Sequence, residues 1–409
     1  MTSQNIACEI CRSTNVFPVL DLGKHPLCDD LLKVGSTDQC EHFPIEISFC
    51  RNCKTAHQMH PIPKRRLFPN SYHYRSAMTQ DVLNGMYALV KQIRKQYGDL
   101  TGKTVLDVGC NDGSLLNYFK SEGAIIFGVE PTDAAFDARH NNIEVINDYF
   151  DPISARKVVE KIGRPDFVTF TNVFAHIENM DELLGSLEVV MGPKTRLIVE
   201  NHYLGSVLER FQFDTFYHEH PRTYSFTSFF YIAKKLNRAI EICEFPTRYG
   251  GNIRVVIGPD SGNSNTFDDL MSKEETFFYD FMKMNKVITK WKATRTEILN
   301  SSRCNDGKIY AKAFPGRAAI LVNLLDITEN EIEAVFEKPQ SKKIGHYVPG
   351  TRIPIRSDSD LLNEGFIPDK MLNLAWHISD EIRKYVNNLN SQIEIIDIFD
   401  FEKYKDFSI

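Results

Sequence analysis

Between residues 80 and 200 the chain alternates amphipathic stretches with short apolar runs. Val82, Leu83, Met86, Leu89, Val90 and Ile93 recur at the three- and four-residue spacing that lines one face of a helix. Thr104–Val108, Ile125–Val129, 167–170 and 197–200 are apolar runs of strand length, and the intervals between them leave room for helical crossovers. Strands that alternate with helices in this way build a parallel, doubly wound α/β sheet. Phe277, Phe278, Phe281, Met284, Ile288 and Trp291 mark a later amphipathic helix, a stripe that ordinary packing explains. A second αβ alternation then begins, with 318–322, Ala334–Glu337 and 371–376 expected as strands. Before residue 70 the chain is rich in Cys, Pro and His, with one strand-like run at 43–47, and the composition shifts near 72–76. No short-period repeat or low-complexity segment interrupts the sequence.

Length adds a constraint. At 409 residues the chain exceeds one compact core and fits two or three domains. Its 42% hydrophobic and 25% charged residues are ordinary globular composition. A net charge of -6 argues against a broad basic footprint, so neither a nucleic-acid nor a membrane partner is expected. No stretch approaches the roughly 18 apolar residues of a membrane helix. The first residues, Met1-Thr2-Ser3-Gln4-Asn5, lack the order of a secretion signal. The expectation is a soluble, cytoplasmic protein.

The cysteines sharpen that picture. There are nine, an odd number, and six of them lie before residue 54. Cys8-x-x-Cys11 and Cys50-x-x-Cys53 form two knuckle-like pairs, and two such pairs complete a tetrahedral zinc site. Cys28 and Cys40, inside the long insert, are possible substitutes. Four protein ligands leave no open position, so the metal is read as structural, a staple for a small lobe.

The strongest motif is Val105-Leu106-Asp107-Val108-Gly109-Cys110-Asn111-Asp112-Gly113-Ser114, a strand, a glycine-rich turn and a helix start. Its Asp-x-Gly-x-x-x-Gly spacing is not the Gly-x-Gly-x-x-Gly of dinucleotide binders. It resembles the first motif of class I S-adenosylmethionine-dependent methyltransferases, where the turn backs the methionine part of the cofactor. The resemblance implies cofactor contacts at Asp107, Gly109, Asn111 and Gly113, with Asp107 holding the amino group. Glu130 ends the next strand, where a carboxylate can accept both ribose hydroxyls. Asp148 falls where these enzymes contact the adenine amino group, and Asn172 follows the fourth strand at the ligand-binding edge.

Past the fifth strand, Tyr217-His218-Glu219-His220 is dense in ionisable and phenolic groups. A metal site on His218 and His220 is one alternative, since alternate strand residues share a face. The knuckles, the Asp107–Gly113 turn, the Tyr-x-Glu-His element, Gly250-Gly251-x-x-Arg254 and Pro349-Gly350-Thr351-Arg352-Ile353-Pro354-Ile355 occur in that order. Together they resemble the three-domain nucleotide-sugar C-methyltransferases, over nearly the whole chain. That resemblance implies a zinc-binding domain at 1–70, a class I methyltransferase-like domain at 71–258 and a Rossmann-like nucleotide-sugar domain at 259–409. It implies methyl transfer from S-adenosylmethionine to a ring carbon, C3 in the family, of a nucleotide-linked 4-keto-6-deoxyhexose carried on dTDP or GDP, in deoxysugar biosynthesis. His220, with a reference pKa near 6.5, suits a general base at neutral pH, and the resemblance gives it that role. Tyr217 would donate to the developing oxyanion and Glu219 would orient the sugar or the histidine. Tyr74, with Tyr72 as second choice, and His176 complete the implied catalytic set.

One stretch departs from the family. Its Gly-Ala-x-x-Lys-Gly-like turn is replaced by Ala311-Lys312-Ala313-Phe314-Pro315-Gly316-Arg317, which leaves the nucleobase open. Lys312, Arg317 and Arg352 stand as candidates for the diphosphate. The competing functions are an O-methyltransferase on a sugar hydroxyl, which needs no adjacent ketone, and a zinc-knuckle RNA-binding protein, against which the acidic charge argues.

Overall fold

The structure is a computed structural model that describes residues 7–407 except 71, 73, 79, 260–266 and 364–366. The leader reading of the first five residues and the first expected boundary at 71 fall outside that set. Sixteen strands among the described residues form three sheets. The amino-terminal sheet joins β1 (Val16–Pro26), β2 (His42–Cys50) and β3 (Ala56–Gln58) as an antiparallel meander. Pro44 is tolerated in β2 because β3 pairs only with Ile47–Phe49, which leaves that side of Pro44 without a strand neighbour.

The central sheet comprises β4 (Thr104–Val108), β5 (Ile125–Val129), β6 (Val145–Ile146), β7 (Phe167–Thr171) and β8 (Arg196–His202). After β9 (Arg222–Thr223), which joins the amino-terminal sheet beside β3, come β10 (Ala239–Glu244) and β11 (Asn252–Gly258). The order is β10-β11-β8-β7-β4-β5-β6, with β11 antiparallel to β8 and the first five strands parallel. That is the class I methyltransferase order, and it reverses at β4 and β7, where open α/β sheets bind ligands. The helix Gln80–Tyr97 buries Val82, Met86, Leu89, Val90 and Ile93 on one face of this sheet, as the spacing predicts.

The carboxyl-terminal sheet is all parallel: β12 (Tyr310–Lys312), β13 (Ala334–Glu337), β14 (Ile355–Ser357), β15 (Lys370–Asn373) and β16 (Glu394–Asp397), ordered β14-β13-β12-β15-β16. Two expectations change here. Residues 318–322 belong to the helix Ala318–Leu324, not to a strand. The run Ala318-Ala319-Ile320-Leu321-Val322 is buried on every side, so it carries neither the alternation of a strand nor the period of a surface helix. The run at 371–376 is strand only to Asn373, and Trp376 starts a short 3-10 turn.

The sheets are not independent bodies. The helix Phe277–Ala293 threads one core that includes Ile45, Ile47 and Phe49 of β2, Phe213 and Phe216, and Ile320 and Leu321. Trp291 is 1% exposed and donates its indole N–H to the Ile398 carbonyl at 2.8 Å. No helix among the described residues is long and apolar enough to cross a membrane.

Candidate active site

Asp107 ends up buried in β4, in register with Thr169 of β7, whose hydroxyl donates to its Oδ1 at 2.6 Å. Burial raises this carboxyl to about 7, with the Glu130 carboxylate adding to the rise. Gly109 follows at φ 70°, and a Cβ there would stand 2.6 Å from a Val173 methyl. The turn is thus a cradle that only glycine leaves open. Asn111, at φ 51°, donates its backbone N–H to Glu130 Oε2 at 3.0 Å. Glu130 Oε1 accepts from the amide and hydroxyl of Thr132 at 2.8 and 2.6 Å. Gly113, at φ 80°, hands the chain to the helix Ser114–Ser121. Asn172, at φ 55°, donates its N–H to the Glu200 carbonyl at 2.7 Å. These six residues ring the carboxyl edge of β4, β5 and β7. Asp148 lies past β6 on the exposed rim, accepting the Tyr149 N–H at 2.8 Å. The residue types, the glycine cradle and the buried carboxylates fit a zwitterionic, ribose-bearing cofactor.

A cover segment lies on this turn. The amides of Ser76 and Ala77 donate to Asn111 Oδ1 and Asp112 Oδ2 at 2.9 and 2.8 Å, and Asn111 Nδ2 donates to the Tyr74 carbonyl at 3.1 Å. Tyr74 is 40% exposed, whereas Tyr72 is half-buried. Burial, with the Glu219 and Asp29 carboxyls nearby, pushes the Tyr72 phenol well above its ordinary range.

The loop 213–221 is clamped by both ends of the chain. From the amino-terminal sheet, Gln58 Nε2 donates to the carbonyls of Phe216 and Tyr217 at 3.2 and 3.3 Å, and His218 Nε2 donates to the Phe43 carbonyl at 3.1 Å. His218 and His220 therefore turn to different partners, and the four-cysteine group is the one metal-competent cluster found among the described residues. His220 donates Nδ1–H to the Thr215 carbonyl at 3.0 Å. Its ring lies 4.2 Å from that of Tyr217, 5.1 Å from His176 and 5.4 Å from His202. His176 donates Nδ1–H to the Glu219 carbonyl at 2.6 Å. Burial drives the His220 imidazole well below its usual pKa, with His176 and His202 opposing its charge. The same burial holds the Glu219 carboxyl and the Tyr217 phenol well above theirs.

From the carboxyl-terminal side, Arg317 forks onto Asp214 at 2.9 and 2.5 Å, and Trp376 Nε1 donates to the same carboxylate at 3.1 Å. Removing one partner of a pair this buried costs about 3–5 kcal/mol. Lys312 is likewise engaged, with Asp358 at 2.8 Å, and Arg352 donates to the carbonyls of Ser36 and Asp38 at 2.8 and 2.5 Å. Gly250, at φ 82°, passes so close to Gln212 that a Cβ would meet Oε1 at 2.5 Å, and Arg254 pairs with buried Glu200 at 2.6 Å. Sequence reasoning missed Thr169, Asp112, His202, Gln58 and the partnership of Asp214 with Arg317. Of these, His202 had a signal, since it stands at the carboxyl end of the fifth strand of the central sheet.

The four knuckle thiols converge within 4.8 Å, with Cys8–Cys53 at 3.4 Å and Cys11–Cys50 at 3.6 Å. Thiolates about 2.3 Å from a tetrahedral ion stand about 3.8 Å apart, so the set fits zinc with no position left over. Cys28 packs beside Gly316, and Cys40 donates to the Asp30 carbonyl at 3.3 Å, so neither joins the cluster.

Three family models match the chain in series: "Putative zinc binding domain" over residues 8–68, "Methyltransferase domain" over 82–241 and "C-methyltransferase C-terminal domain" over 247–393. With the sheet order and the glycine cradle, they place the chain among the S-adenosylmethionine-dependent C-methyltransferases, with S-adenosylmethionine as cofactor and a structural zinc. The chain is 26% identical to C-methyltransferase NovU of Streptomyces niveus over 386 residues, 92% of this chain and 90% of that protein. Ubiquinone biosynthesis O-methyltransferase of Coxiella burnetii is 25% identical over 27% of this chain and 49% of its own length. Among solved structures, magnesium protoporphyrin IX methyltransferase of Synechocystis PCC 6803 aligns at 15% identity and a TM-score of 0.32, covering 44% of this chain and 79% of that one. The PH0226 protein of Pyrococcus horikoshii OT3 aligns at 18% and 0.36, covering 48% and 98%.

Proposed function

We propose that this enzyme methylates a ring carbon, C3 beside a 4-keto group, of a nucleotide-linked 6-deoxyhexose in the cytoplasm. The observation that carries this reading is the hydrogen bond from His220 Nδ1 to the Thr215 carbonyl, which leaves Nε2 as the lone-pair nitrogen of a neutral imidazole next to Tyr217. On this reading Nε2 takes the proton from the carbon beside the ketone, the C–H pair becomes the enolate C=C bond, and the C=O π pair moves onto the oxygen. The Tyr217 hydroxyl, kept protonated by burial, donates to that oxygen. Glu219, kept neutral, can donate to a second sugar oxygen. Tyr74 or Tyr72 closes the sugar from the cover segment, and His176 buttresses His220 by stacking. S-adenosylmethionine supplies the electrophilic methyl group when bound. Asp107, Gly109, Asn111, Gly113, Glu130, Asp148 and Asn172 would hold it, with Asp107 on the amino group and Glu130 on the ribose. Nine cysteines, none in a disulfide, suit a reducing compartment.

The likeness to NovU over nine-tenths of both chains supports carbon over oxygen as the acceptor, since the O-methyltransferase likeness spans a quarter of this chain. The test is incubation with S-adenosylmethionine and a panel of dTDP-, GDP- and CDP-4-keto-6-deoxyhexoses, followed by fragmentation mass spectrometry. A methyl gain on ring carbon is expected; a gain on oxygen, or none on any keto-sugar, refutes the reading.

A further inference from the structure

We infer that Arg317, on the turn after β12, is a positioning residue for His220: it grips Asp214 and so fixes the Thr215 carbonyl that holds the imidazole in its Nδ1–H form. The inference deepens the reading of His220 as base and rests on it for its catalytic consequence. Its geometry is a short covalent and hydrogen-bonded chain. Arg317 Nε and Nη2 donate to the two oxygens of Asp214 at 2.9 and 2.5 Å, a parallel fork that fixes the plane of the carboxylate. Trp376 Nε1 adds a third donor to Oδ2 at 3.1 Å. Arg317 also donates to Gln212 Oε1 at 3.3 Å from both Nη atoms, and Gln212 Nε2 donates to the Gly250 carbonyl at 3.0 Å. The residue after Asp214 is Thr215. Its amide donates to the Gln212 carbonyl at 2.9 Å, and its carbonyl accepts from His220 at 3.0 Å. The Asp214–Thr215 peptide that leads into that carbonyl is thus held on both sides by groups bonded to one guanidinium.

Burial makes the fork matter. Asp214 is 0% and Arg317 7% exposed, so water does not stand in for a lost partner. Arg317 gives its hydrogen bonds to Gln212 and Asp214, while the neighbouring cation, Lys312 at the end of β12, is held by Asp358 at 2.8 Å. The carboxyl-terminal domain therefore reaches the reacting edge through an arginine 103 residues away in sequence from the carboxylate it holds. A planar fork is needed here; a lysine at the same place offers a point charge without the plane.

The test uses the full-length protein. Long-range 15N–1H correlation at pH 7.5 reads the tautomer of each histidine side chain, with His220 assigned by its loss in His220→Gln. Wild type is expected to show His220 in the Nδ1–H form, and Arg317→Met to show a mixture with the Nε2–H form. On the sugar substrate, Arg317→Met should lower kcat about 30- to 100-fold, the scale of a misplaced catalytic group, with the Kd for S-adenosylhomocysteine within threefold of wild type. Arg317→Lys should recover part of both. If Arg317→Met does not fold, Arg317→Lys and Trp376→Phe must each move the tautomer in the same direction by less. An unchanged Nδ1–H tautomer in the folded variants overturns the inference. A changed tautomer with wild-type kcat upholds the positioning and instead refutes His220 as the base.

Discussion

His220 and His176 stack with ring centroids 5.1 Å apart, and each spends its Nδ1 proton on a backbone carbonyl, of Thr215 and Glu219 respectively. A carbonyl only accepts, so His220 presents Nε2 as its lone-pair nitrogen, and neither ring's Nδ1–H is paired with a carboxylate that would hold a proton. Burial lowers the pKa of both. The pair is a neutral, pre-oriented surface, which is what removal of a weakly acidic carbon proton requires.

Replacing His220 with Gln should lower kcat by about 10²- to 10⁴-fold, the usual contribution of a positioned base. Affinity for S-adenosylhomocysteine should stay within threefold, because the residues proposed to hold the cofactor gather at the carboxyl edge of β4, β5 and β7. Single-turnover kinetics and calorimetry on the same preparation check both halves. Near-wild-type turnover would remove His220 from the mechanism.

The pH profile follows from the sign of the His220 shift. Its pKa in the folded protein lies below 6.5, lowered by burial first and then by His176, His202 and Arg317, so the working neutral form persists on acidification. With S-adenosylmethionine saturating, kcat/KM for the sugar should stay flat down to pH 6.5 and fall only below it. An acid limb centred above 6.5 would contradict the assignment.

Cofactor binding should titrate elsewhere. Asp107 sits at about 7 because it is buried, so below that pH its carboxyl is protonated and offers no charge to an amino group. Affinity for S-adenosylhomocysteine should therefore weaken as pH falls through about 7, and Asp107→Asn should bind more weakly with that dependence gone. Calorimetric titration between pH 5.5 and 8.5 distinguishes this from a profile that is flat in both proteins.

The sequence already carried the sheet that holds the cofactor, because each of its parallel strands is a bounded apolar run and its turn announces itself in glycines. It misled where burial is complete: residues 318–322 are apolar throughout and read equally as strand or helix. Arg317 reads as a diphosphate ligand in sequence because a cation near a nucleotide-side turn invites that reading. Only the fold brings Asp214 to it. His202 is marked only by its place at a strand end, since its proximity to His220 depends on how the loop folds back over β8.

The zinc site should stabilise more than the lobe that contains it. Cys8, Cys50 and Cys53 share one hydrophobic core with Val199, Ile232 and Ile253 of the methyltransferase portion. Cys50→Ser should bring bound zinc from close to one per chain to a small fraction and cost about 3 kcal/mol or more of stability. Metal analysis with thermal melts checks this. Retention of a full equivalent of zinc would place the metal on other ligands.

Glu219 offers a test that separates a neutral carboxyl from an ionised one. It is 6% exposed, and burial outweighs the nearby Lys343 so that its pKa is raised well above the ordinary carboxylate range, with Asp29 pushing the same way. A shift in that direction favours the protonated acid, which donates a hydrogen bond. Glutamine keeps the shape and a donor and cannot ionise, so Glu219→Gln should retain activity within about tenfold, whereas Glu219→Ala, which removes the donor altogether, should lose about 10²-fold or more. An ionised carboxylate acting as base or as anchor for the imidazole would give the opposite pattern, with Gln as damaging as Ala. Measuring kcat and KM for both variants at pH 7.5 decides between them, and the wild-type rate should then fall at high pH as the carboxyl finally loses its proton.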